Sequence, residues 1–108
     1  MADNEKLVRD HIPKIMRQNG ATPITRQAKA GELPELLMAK LREEVEEFRG
    51  SGEADELADI IEVVYAIAAS KGLTVEQLEK LRKHKRLQRG GFSQRIVLIM
   101  GDAPTPAA

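Results

Sequence analysis

Four carboxylates recur at three-residue spacing on either side of a Gly50-Ser51-Gly52 break: Glu44 and Glu47 before it, Glu56 and Asp59 after it. Acids at i and i+3 lie on one side of a helix, and four of them brought together repel one another unless a cation sits among them. Oxygen donors without a Cys or His partner favour a hard divalent ion, Mg²⁺ with Mn²⁺ as a substitute, over Zn²⁺. Spacing alone does not select these four, because nine of the twenty residues from Glu43 to Glu62 are acidic.

Phase selects them. At ~100° per residue, Glu44 falls roughly 55° and Glu47 about 115° from the centre of the stripe made by Leu37, Leu41, Val45 and Phe48, whereas Glu43 and Glu46 fall on the far side. On the following helix Glu56 and Asp59 stand roughly 60° and about 120° from the stripe centre, displaced in the same rotational sense. An antiparallel hairpin therefore puts both pairs on one side, and a turn at Gly50 to Gly52 makes them level along the axis. The same acids also fit a solvated helix surface, which the phases leave open. Asp55 and Glu62 are read as solvent-facing or supporting residues.

The elements that must position these groups are helical. A first strong helix is expected from Leu33 to Arg49 and a second from about Glu53 to Ser70, apolar at Leu57, Ile60, Ile61, Val64, Ile67 and Ala68. Thr74, with Gln77 three residues on, predicts the start of another helix that stops at Gly90-Gly91. Pro13 suits the first turn of a short helix ending at Asn19-Gly20. The β-branched pieces Ala21 to Ala28 and Arg95 to Met100 predict short strands. The expected fold is thus an all-α bundle built on an antiparallel hairpin, with minor β-strands near the N-terminal third and the C-terminus. One domain over residues 1–108 is expected, with a flexible tail at about 102–108.

Composition narrows the function classes. Seventeen acidic residues balance seventeen Lys plus Arg, and the chain has two Phe, one Tyr and no Trp, so neither bulk charge nor an aromatic stacking surface points to nucleic acid. The absence of Cys excludes disulfides and thiolate ligation and fits a reducing cytoplasm. No apolar run approaches the ~20 residues that span a bilayer, and the charged start MADNEKLVRD lacks a secretory apolar segment. Basic charge gathers in Lys80 to Arg89, which holds six Lys or Arg.

The acidic pairs, within KLREEVEEF and ELADIIEVVYAI, resemble the E-x-x-E, spacer, E-x-x-D pattern of the all-α nucleoside triphosphate pyrophosphohydrolase superfamily. This group comprises the MazG-like and phosphoribosyl-ATP pyrophosphohydrolase-like proteins. KLVRDHIPKIM and RGGFSQRIVL look like its small stand-alone branch, so the resemblance runs from Lys6 to about Leu98. It implies Mg²⁺ held by Glu44, Glu47, Glu56 and Asp59, with Glu44 and Glu47 in the catalytic role. The implied reaction is hydrolysis of a nucleoside triphosphate to the monophosphate and pyrophosphate. Lys83, Arg86 and Arg89, at i, i+3 and i+6, are then the first choice for phosphate contacts, with Lys6 and Arg9 as further candidates. Arg9 with Asp10 equally fits a structural ion pair. A Lys and an Asn that follow the second acidic pair in larger MazG domains have no clear counterpart here.

A small chain with a wide apolar stripe suggests a homodimer or higher homo-oligomer. His11 and His84 lack ligand spacing and are read as surface residues, and Gly90-Gly91 as a helix stop. Two other functions remain as alternatives: a phosphoribosyl-ATP pyrophosphohydrolase, and a non-catalytic module that binds nucleotide or nucleic acid through the basic helix.

Overall fold

Helices form where apolar periodicity and stop signals agree. The computed structural model describes residues 5–100, in which α1 spans Ile12–Gln18, α2 Leu33–Ser51, α3 Ala54–Ser70 and α4 Val75–Arg89. The chain falls into two units, Met1–Val75 and Glu76–Ala108. The expected flexible tail lies outside the described residues.

In the first unit, α1 carries Pro in its first turn and closes at Asn19, followed by Gly20 at φ +91°. A 3-10 turn, Ala30–Glu32, leads into α2. Glu32 accepts a hydrogen bond from the Lys29 backbone N–H at 2.9 Å and one from Arg26, which also reaches Glu5. This clamp fixes the entry to α2, whose first turn contains Pro34.

The turn between α2 and α3 is not at Gly50 to Gly52. Helix α2 continues through Gly50 and Ser51, and the reversal occurs at Gly52 and Glu53. Gly52 takes φ +68°, where glycine pays no steric penalty, and its N–H donates to the Phe48 carbonyl at 2.7 Å. Ser51 Oγ then accepts from the Glu53 N–H at 3.1 Å, joining the end of one helix to the start of the next.

Packing between α2 and α3 is the main tertiary contact of this unit. The buried apolar residues are Leu36, Leu37, Val63 and Ala68, a thin core. Of the expected stripes, Leu37 and Ala68 are buried and Leu41, Phe48, Ile60, Val64 and Ile67 half-buried. Val45, Leu57 and Ile61 remain 44%, 44% and 50% exposed, so part of the apolar face is left uncovered among the described residues.

The two expected strands are absent among the described residues. β-prone composition forms a strand only against a neighbouring edge. Residues 21–28 run as irregular chain held by side-chain ion pairs at Arg26. In the second unit α4 ends with Gly90 at φ +82°, and residues 95–100 leave it without a ladder, with Ile96 to Met100 all exposed.

Candidate metal centre

Helix α2 carries Glu44 inward, on the side of Leu37 and away from the exposed Val45. The residue is only 6% exposed, an unusual state for a carboxylate. Its Oε1 is 3.1 Å from Lys40 Nζ, one helical turn earlier, while Oε2 is buried and accepts no hydrogen bond from any described group. A buried carboxylate oxygen without a donor costs free energy, about 1–3 kcal/mol for a polar group of this kind. A metal cation could satisfy it without a donor hydrogen.

The first turns of α3 bring Glu56 and Asp59 to the same place. Glu44, Glu56 and Asp59 each offer a carboxylate oxygen, and these atoms lie within 4.8 Å of one another. Burial pushes the Glu56 carboxyl above the usual carboxylate value, and the charges of Glu47, Asp59 and Glu44 push it the same way. Glu47 therefore stands close enough to act on Glu56, yet it is exposed and is not one of the three mutually adjacent residues. Its phase accounts for this: at about 115° from the apolar stripe against roughly 55° for Glu44, Glu47 stands farther round α2, on the outer side of the cluster.

Cations surround the cluster. Arg9 Nη2 donates to Asp59 Oδ1 at 2.6 Å, so the partner of Arg9 is Asp59 and not the adjacent Asp10. Lys6 Nζ donates to Glu43 Oε1 at 2.8 Å, a bond that raises the Lys6 pKa and lowers that of Glu43. Glu43, expected on the solvated side, is thus half-buried and bound to Lys6 and Lys40, whereas Glu46 does face solvent beside Arg49.

Lys40 was not singled out by sequence reasoning. Its signal was present as the Lys40 to Glu44 spacing of i, i+4 on the face that turns inward. A cavity of about 670 Å³ adjoins the cluster through Arg9, Lys40 and Glu44, with apolar walls that include Leu7, Ile12, Leu37 and Val63. That size suits a small-molecule ligand. Asp10, the exposed His11 and Glu62 also reach this cavity. Asp55 is exposed, as expected.

Lys83, Arg86 and Arg89 are exposed on α4, in the second unit. Arg86 Nε comes within 3.9 Å of where a side chain on Gly91 would begin. Arg89 lines a smaller cavity of about 310 Å³ with residues 90–96. His84, also on α4, is exposed as expected.

No family model matches the chain, and no solved structure matches it. Over 50 residues it is 44% identical to an uncharacterized protein of Mycolicibacterium smegmatis, a stretch that covers 46% of this chain and 51% of that protein. The chain thus spans about half the length of the curated relative it matches. Among the described residues no helix is long and apolar enough to cross a membrane.

Proposed function

We propose that the chain is a divalent-metal-dependent nucleoside triphosphate pyrophosphohydrolase of the MazG-like group, a house-cleaning enzyme of the cytoplasm that works as a homodimer or larger homo-oligomer. The observation that carries this reading is the approach of Glu44, Glu56 and Asp59 to within 4.8 Å while one Glu44 oxygen is buried without a donor.

The donor set fits Mg²⁺ or Mn²⁺, because it is all carboxylate oxygen and the residues leave open positions for water and phosphate. Glu44, Glu56 and Asp59 would hold the ion. When bound it supplies neutralisation of phosphate charge and a lowered pKa for water. Glu47, exposed at the edge of the cluster, takes the proton as water attacks the α-phosphate. Cleavage of the bond to the β-phosphate then gives a nucleoside monophosphate and pyrophosphate. Arg9 on Asp59, Lys40 on Glu44 and Lys6 on Glu43 are the cations of this unit proposed for phosphate.

The test is pyrophosphate release from canonical and modified nucleoside triphosphates with Mg²⁺. Activity on at least one triphosphate is expected, with a loss of at least about 10- to 100-fold, the range for disturbing the support of a metal site, in Glu44→Gln and Asp59→Asn. Full activity in both variants overturns the reading. Phosphoribosyl-ATP belongs in the same panel. The exposed basic face of α4 favours a second reading, a binding module, whose affinity falls steeply with salt and needs no divalent ion.

A further inference from the structure

Asp59 serves two partners. It belongs to the set whose oxygens lie within 4.8 Å of one another, and its Oδ1 already accepts a hydrogen bond from Arg9 Nη2 at 2.6 Å. A guanidinium at that distance competes with a divalent ion for the same carboxylate. Arg9 also lines the 670 Å³ cavity, together with Lys40 and Glu44. Both its side chain and that of Asp59 are more than a third exposed, at 51% and 37%, so the guanidinium can leave without unpacking the core.

We propose that Arg9 is an exchangeable counter-cation of the acidic cluster. Its guanidinium holds Asp59 until a divalent ion displaces it, and once displaced it becomes the anion-binding group at the mouth of the adjoining cavity. This rests on the metal reading of the cluster and adds an order of events to it. The metal-free protein keeps the cluster partly neutralised by its own arginine, and metal loading converts that arginine into a site for the phosphate the ion accompanies. A phosphate arriving without the ion finds Arg9 engaged, so the inference couples the two binding steps.

Arg9→Gln separates this role from a structural one, because the two halves of the proposal predict effects of opposite sign. Titration with Mn²⁺ alone, read from the signal of unbound Mn²⁺ in electron paramagnetic resonance, should give about a 2- to 10-fold lower Kd in the variant, the range expected from removing one partly solvated competing charge. Inorganic phosphate, added at saturating Mg²⁺ and followed by calorimetry, should bind more weakly to the variant. Arg9→Lys, which keeps the charge, should fall between the variant and the original in both measurements.

An unchanged or higher Kd for Mn²⁺ in Arg9→Gln overturns the counter-cation. Tighter Mn²⁺ with unaltered phosphate affinity overturns the second role and leaves the first standing. If neither protein binds Mn²⁺, the metal reading itself fails and the inference falls with it. The unsubstituted protein supplies a check that needs no variant: the side-chain Nε–Hε resonance of Arg9 must move as Mg²⁺ is added, and a resonance that stays in place refutes displacement.

Discussion

Glu44 concentrates the electrostatic strain of the cluster in one side chain. It is buried, it has one oxygen on Lys40 and one with no donor, and it lies beside two further carboxylates. Glu44→Gln keeps an oxygen for Lys40 and places an amide N–H₂ where the orphaned oxygen stood, next to acceptors on Glu56 and Asp59. In EDTA this variant should be more stable than the original protein, by about 1–3 kcal/mol if the desolvation penalty is relieved in full. Its melting temperature should no longer respond to Mg²⁺. Thermal denaturation with and without the ion reads both effects, and a variant that melts lower in EDTA would show that the buried charge stabilises the fold.

At the level of elements, two glycines two positions apart have opposite duties. Gly50 is inside α2 with nothing within 4 Å of an added Cβ, while Gly52 holds φ +68° at the turn. Gly50→Ala should stabilise the protein by up to about 1 kcal/mol through helix propensity. Gly52→Ala should destabilise it by about 1–2 kcal/mol through left-handed backbone strain. Chemical denaturation of the pair reads both, and like signs would refute the placement of the turn. The clamp before α2 gives a pH dependence. Its hydrogen bond to Arg26, and then that to the Lys29 backbone, lowers the Glu32 pKa from 4.5 to about 2. A depressed carboxylate adds stability above its unfolded value and loses it on protonation. The difference in melting temperature between the original protein and Glu32→Gln should therefore be constant above about pH 5 and vanish as pH falls from 4.5 toward 2. Both groups are partly exposed, so salt should shrink the difference.

For the whole molecule, the question is what covers Val45, Leu57 and Ile61. If a second copy does, as the proposed homo-oligomer requires, Leu57→Glu with Ile61→Glu should convert a dimer into a monomer in sedimentation velocity. A single species of monomer mass before substitution refutes it. How much was legible in the sequence follows from the range of each interaction. Helix positions, the inward side of Glu44 and the nearness of Glu56 and Asp59 come from local periodicity, and all were readable. The turn was misplaced because Gly50 and Gly52 look alike in sequence, and only the left-handed backbone at Gly52 tells them apart. The strands were overread because β-branched residues at 21–28 and 95–100 state a preference without supplying an edge to pair with. Lys6 and Arg9 were candidates for phosphate, but their carboxylate partners were not legible because they are tertiary: Arg9 and Asp59 are 50 positions apart, Lys6 and Glu43 are 37. Lys40 was overlooked although its i, i+4 spacing to Glu44 is local.

The short span from Glu44 to Asp59 has a kinetic consequence. All three carboxylates of the cluster sit on one helical hairpin, so the site assembles when two neighbouring helices close, an event of small loop entropy. That closure drives like charges together at the moment the first core contacts form. The repulsion of the site opposes that closure, and if the cluster takes a divalent ion as proposed, stopped-flow refolding should be faster in Mg²⁺ than in chelator.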